Sequence, residues 1–219
     1  MMKKKIVAIG LAAVLTFGAS VPMLAGGVAE YYPTIAVCRD TPTMLTGEQL
    51  SELADSAPDI AETRSAMTFA ARRITASELT AWSDEYWELG GINAFEFEVV
   101  RLINIERAAA RLLPLAIEPR LSMAARFHSQ EMADLRTWGH RSPHHGRGAY
   151  RAEMFGHENI QDHVWGVREN IAGNTRCPQE VVAAWMNSPG HRAAILDESV
   201  LTIGVGAVQG GGTTAKFGS

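Results

Sequence analysis

Every histidine of this chain lies between His128 and His191: His128, His140, His144, His145, His157, His163 and His191. Two of them stand where a helix is expected to begin or end, His140 after Trp138-Gly139 and His191 after Ser188-Pro189-Gly190. Between these two lies Glu169-Asn170, leading into small residues at Ala172-Gly173. A carboxylate facing two imidazoles offers two kinds of chemistry. Neutral imidazoles and an anionic oxygen could ligate a divalent metal, zinc being the best match, with positions left open for water. Alternatively, the carboxylate fixes the imidazole tautomers in a structural hydrogen-bond network, as buried polar groups require. Spacing alone leaves both open. His144, His145, His157 and His163 read as solvated loop residues. No His-Glu-x-x-His helix, Gly-x-Ser-x-Gly elbow, Walker loop or dinucleotide fingerprint occurs.

The elements that must position these groups follow from periodicity. Residues 94–112 return Val99, Leu102, Ile103 and Ala110 about once per turn, the signature of an amphipathic helix. A second helix starts at Pro119, which suits a first helical turn, and repeats Leu121, Ala124, Ala125, His128, Met132 and Leu135, placing His128 on its inward face. A third starts at Cys177-Pro178, carries Val181, Val182, Trp185 and Met186, and stops at Ser188-Pro189-Gly190, with a short helix over 191–196 to follow. Residues 201–208 alternate Ile203, Val205 and Ala207 with small residues, a strand in which Gly204 and Gly206 imply close approach of another backbone. Gly210-Gly211-Gly212 turns into a last strand over 213–217. Helices first and strands later predict an α+β or three-layer arrangement rather than alternating βαβ units.

Upstream, residues 30–91 read as a helical N-terminal accessory region, with helices over 48–53 and 71–89 and a boundary at Gly90-Gly91 before a main domain over 92–219. Trp82, Tyr86 and Trp87 are expected to pack that region onto the domain. Residues 1–29 have the layout of a secretory signal peptide: Lys3, Lys4 and Lys5, an apolar run over 6–17 too short to span a bilayer comfortably, then small residues with cleavage expected after Ala25 or Ala29. Export to the exterior or the cell surface is therefore expected, with no membrane span once the signal is removed. Losing three lysines moves the formal charge from -4 to -7, with 17 basic against 24 acidic residues, a poor match for nucleic acid. In an oxidising exterior, Cys38 and Cys177 are candidates to pair, which makes Cys177 a doubtful nucleophile.

Four segments, Glu98-Val-Val-Arg-Leu-Ile-Asn104 with Glu106-Arg107, His140-Arg-Ser142, Glu169-Asn-Ile-Ala172 and Trp185-Met-Asn-Ser-Pro-Gly-His191, occur in the order and spacing of bacterial CAP-domain proteins. The chain resembles that superfamily over residues 94–217. The resemblance implies an α/β/α sandwich with a small antiparallel sheet. It also implies a cleft in which His140 and Glu169 are the first His and Glu and His191 the second His, with His128 completing it. The family's second cleft glutamate has no counterpart here, since Met186, Asn187 and Ser188 follow Trp185. A metal held by His140, Glu169 and His191 would thus be one ligand short of the family's set. The function implied is a non-catalytic extracellular binding module for a lipid or sterol, a divalent metal, or a cell-wall or host component. The alternatives are a metal-assisted hydrolase or peptidase using the same cleft, and a cell-surface adhesion or structural protein contacting its partner through residues 30–91.

Overall fold

A computed structural model describes residues 64–157, 166–173 and 177–219. The signal segment, the helix expected over 48–53, Cys38 and His163 lie outside these residues. The described elements run α1 (Ala76–Glu88), α2 (Ala94–Ala109), β1 (Ala116–Ile117), α3 (Pro119–Leu135), α4 (Gly148–Met154), β2 (Val167–Ala172), α5 (Pro178–Met186), α6 (Pro189–Ile195), β3 (Thr202–Val208) and β4 (Gly212–Gly218).

Local chemistry sets the helix ends. Thr75 and Glu78 form a reciprocal capping box, so α1 starts at Ala76 and not at the expected residue 71. Asn93 and Glu96 cap α2 in the same way. That helix ends at Ala109, short of the expected 112, and Arg111 takes a left-handed backbone (φ 62°) in the turn that follows. Two elements have no counterpart in the sequence reading, the short helix α4 and the two-residue strand β1. A third is given no element type there: Glu169 to Ala172, read only as leading into a turn at Gly173, is part of strand β2, because its backbone pairs along its whole length with β4.

The sheet order is β1-β3-β4-β2. β3 pairs antiparallel with β4, and β4 with β2, while the short β1 lies parallel to β3. Side chains alternate across this sheet. Ile203, Val205, Ala207, Ala215 and Phe217 point into a core shared with Val99 and Ile103 of α2, Val181 and Trp185 of α5 and Ile195 of α6. Gly204 and Gly206 face α3 instead. A Cβ there would stand 2.1 Å from the Leu121 carbonyl carbon and 1.9 Å from the Arg126 amide nitrogen, so glycine is what lets the helix lie directly on the strand. The backbone approach expected at these two glycines is thus found, and the layers are helix, sheet and helix.

A second core lies beyond the outer face of α3, where Trp82 and Tyr86 of α1 meet Leu121 and Phe127 of α3 and Ala152 of α4, with Phe155 beside them. Trp82 sits edge-on to Phe127 and Phe155, at ring separations of 5.6 and 5.5 Å. Trp82 and Tyr86 therefore dock α1 as expected, whereas Trp87 is 53% exposed. The Gly90-Gly91 break is itself tied down: the Gly91 carbonyl accepts from Arg126 (2.6 Å), whose guanidinium also bonds the buried Glu96 and lies 4.4 Å over the Tyr86 ring. Upstream of α1, Gln130 accepts from the Ser65 amide and Trp82 Nε1, both at 3.2 Å, and Asp134 accepts from the Phe69 amide. Residues 64–91 are thus built into the domain's second core.

Cys177 is buried at the N-cap of α5 and is bonded to no cysteine among the described residues. Among the described residues, no helix is long and apolar enough to cross a membrane.

Candidate binding cleft

Glu169 on β2 stands directly opposite Lys216 on β4. Facing residues of paired strands project to the same side, and since Ala215 and Phe217 fill the first core, Lys216 must point the other way, towards α4. Its ammonium is fully buried, bonds Glu169 Oε2 and donates to the Gly148 carbonyl at 3.2 Å. Gly148 opens α4 at the point of contact: a Cβ there would come within 2.9 Å of Glu169 Oε2 and 3.1 Å of Lys216 Nζ. One turn on, buried Arg151 donates Nη2 to both Glu169 oxygens, at 3.0 and 2.9 Å, and also to the His140 carbonyl at 3.1 Å.

This cluster sets the charge states. Burial alone would raise the Glu169 pKa, but Lys216, the His140 hydrogen bond and Arg151 outweigh it and hold the carboxyl well below its usual value. Burial pushes Lys216 down to about 8, against the pull of Glu169, so it remains an ammonium at pH 7.

The outer members of the cluster form the cleft. His140 approaches Glu169 Oε1 with Nδ1 at 3.1 Å while its side chain stays 53% exposed. Donation from Nδ1 leaves Nε2 facing outwards. The His191 ring lies 6.4 Å from that of His140, centre to centre. Its backbone carbonyl accepts from Asn170 Nδ2 at 3.0 Å, so the Asn next to Glu169 holds the start of α6 in place. Partial burial, then the neighbouring His140, lower the His191 pKa and favour the neutral imidazole. The resulting cleft has a volume of about 600 Å³, and Arg141, Arg147, Gly148 and Ala194 line it beside His140, Glu169 and His191.

The expected three side chains thus meet. His128 does not line the cleft. It is buried behind it, its Nε2 3.0 Å from the Gly139 carbonyl and 3.8 Å from Glu169 Oε1, and burial lowers its pKa. Its role is to hold Gly139, and through it the backbone leading to His140.

The solvated reading of the other histidines needs correction at two positions. His145 is completely buried: Nδ1 donates to Glu131 Oε1 at 2.6 Å and Nε2 accepts from the Ile74 amide at 3.1 Å. His157 is buried as well, with Nδ1 3.6 Å from Glu118. At His145 the physical reason lies in α3, whose inward-facing Glu131 needs donors once it is buried, and His145 and Ser142 (2.5 Å) supply them. Burial would raise the Glu131 pKa, but the neighbouring His128, His145 and Ser142 bring it down to about 2.

Sequence reasoning missed Lys216, Arg151, Glu131 and Ser142. Glu131 had a signal, since it lies one turn after His128 on the same helix face. Lys216 had a weaker one, as a lone charge inside an apolar strand. Arg151 had none.

As a metal site, the trio does not fit the expectation. Among the described residues no three His, Cys, Asp or Glu side chains are arranged to hold an ion. The oxygens of Glu169 are already spent on an ammonium and a guanidinium, which would also repel a cation.

A three-layer α/β/α domain with a His/Glu cleft at the edge of its sheet defines a class of secretory-type modules, and residues 100–217 match the cysteine-rich secretory protein family, CAP. The chain belongs to that family. It is 43% identical over 120 residues to the uncharacterized protein YkwD of Bacillus subtilis (strain 168), covering 55% of this chain and 45% of that one. It is 32% identical over 126 residues to the uncharacterized membrane protein YlbC of the same organism, covering 58% of this chain and 35% of the other. Among solved structures it is similar to an extracellular protein containing a SCP domain from Bacillus anthracis, with a TM-score of 0.50 and 29% identity over 57% of this chain and 40% of that one. The chain thus matches less than half the length of each of these relatives.

Proposed function

We propose that this CAP domain is an exported, non-catalytic binding module that holds its ligand in the cleft between His140 and His191. The observation that carries this reading is the state of Glu169. A general base needs a free lone pair and a pKa near the working pH, whereas this carboxylate is bonded by Lys216, Arg151 and His140 and held well below its usual range. Among the described residues that line the cleft there is no serine, threonine or cysteine; the Ser142 hydroxyl is buried against Glu131 and Cys177 is buried at the N-cap of α5. What the cleft presents is recognition chemistry: an exposed imidazole, a half-buried neutral one and a rim of arginines. Export is supported by the signal-type segment over residues 1–29 and by the extracellular nature of the similar Bacillus anthracis protein.

Native mass spectrometry of the purified protein should reveal a bound molecule that His140→Ala and His191→Ala release. Peptide hydrolysis that Glu169→Gln abolishes would overturn the reading in favour of a hydrolase. Zinc retained through desalting, and lost in both histidine variants, would make the divalent ion itself the ligand, held by the two imidazoles.

A further inference from the structure

Between Asp134 and Glu153 the chain carries Arg136, Arg141, Arg147 and Arg151 and three histidines, and no acidic residue. Arg151 is consumed by Glu169. Arg141 and Arg147 are exposed on the cleft rim, and neither has a carboxylate partner among the described residues. Arg141 also lines a second hollow of about 560 Å³, together with Arg73, Thr137, His144 and Tyr150. Arg73 is exposed and lies 4.9 Å over the Tyr150 ring, again without a carboxylate among the described residues. Two adjoining concavities therefore share one arginine, and each has a second, unpaired arginine of its own. The cleft's third rim arginine, Arg168, is neutralised by Asp197. The carboxylate in the cleft, Glu169, is outweighed by its two buried cations.

This concentration of positive charge is local, because the chain as a whole carries a formal charge of -4. Concave surfaces lined by one sign of charge focus their field on a ligand of the other, and guanidinium forks match the geometry of oxyanions. Resting on the binding-module reading, we propose that the ligand is an elongated chain of oxyanion groups, phosphates or carboxylates. One group sits in the cleft between Arg141 and Arg147, beside His140 and His191. The next lies over the second hollow between Arg141 and Arg73. Arg141, touching both, is the residue on which register and affinity depend most.

The test uses the full chain and calorimetric titration with two pairs of probes: linear tripolyphosphate against inorganic phosphate, and triglutamate against acetate. At least one chain should bind on the order of tenfold or more tighter than its single-group counterpart. Arg141→Gln should weaken that binding by about tenfold, as expected for loss of a charge-assisted bond, and added salt should weaken it further. Which chain binds identifies phosphate or carboxylate as the natural group. All three arginines are exposed, so Arg141→Gln, Arg147→Gln and Arg73→Gln should melt with the wild type, which shows that any loss is one of contact.

If neither chain exceeds its single-group counterpart, or if Arg141→Gln binds as well as the wild type, the inference is wrong, while retention of another molecule in the cleft would leave the binding-module reading intact. Release of orthophosphate from bound tripolyphosphate would instead uphold the oxyanion site and overturn the non-catalytic reading.

Discussion

Two buried carboxylates on the same side of the sheet are treated in opposite ways. Glu169 sits on a strand, is met by an ammonium and a guanidinium, and shares its remaining hydrogen-bonding capacity with an imidazole that reaches solvent. Glu131 sits on a helix and is met by Ser142 and two fully enclosed imidazoles, with no lysine or arginine ion-paired to it among the described residues. Both are held ionised well below the ordinary carboxyl range. The difference lies in what each carboxylate holds. Glu131 is a closed staple that secures the loop over residues 139–146 to α3. Glu169 is an anchor whose outermost partner, His140, forms the cleft wall. A carboxylate buried with an ammonium and a guanidinium can keep its charge and still leave one face of an imidazole for a ligand, whereas one met by a hydroxyl and imidazoles encloses them.

The sharpest way to break this comparison is to remove a cation from the first cluster. Lys216→Met leaves Glu169 buried with only Arg151 for charge, and should lower the unfolding free energy by about 3–5 kcal/mol in urea denaturation. Adding Glu169→Gln to it should recover part of that loss; if the double variant is no better than the single one, the two groups are not coupled as described. In the second cluster, Glu131→Gln should cost about 1.5–3 kcal/mol, the range for charged hydrogen bonds, and speed amide exchange at His144 and His145, whose amides bond Ser142 Oγ.

The same variant tests the titration. The folded-state pKa of Glu131 is depressed from 4.5 to about 2, so its contribution is present in full above pH 4.5 and is lost as pH falls towards 2. Stability measured across that window should fall more steeply in the wild type than in Glu131→Gln.

Gly148→Ala places a methyl against Glu169 and Lys216 and should cost about 1–3 kcal/mol by overpacking. Smallest in stability is His140→Ala. Its ring is half exposed, so it should melt within about 0.5 kcal/mol of the wild type while losing the cleft ligand, which separates binding from folding at this position.

Much of the scaffold was legible from periodicity. The helices packed on the sheet announce their apolar faces, and Gly204 and Gly206 announced the close approach of another backbone, which is that of α3. The cleft trio was legible through resemblance, because His140, Glu169 and His191 sit in segments whose order is distinctive. Strand β2 was not, since Arg168, Glu169 and Asn170 interrupt any apolar alternation and only the pairing with β4 makes the segment a strand. His145 and Arg151 were also hidden, because nothing local distinguishes a buried loop histidine from a solvated one, or an arginine bound for a carboxylate from one bound for water.

The sequence by itself determined the longer helices packed on the sheet and which of their faces are apolar, because amphipathic periodicity acts over a few residues, and through resemblance which three side chains line the cleft. Only the tertiary structure decided the charge state of that chemistry. The pKa of Glu169 depends on Lys216 and Arg151, which strand register and the close approach of α4 bring to it from 47 and 18 residues away, and a Coulomb interaction responds to distance in space and to burial, not to separation along the chain.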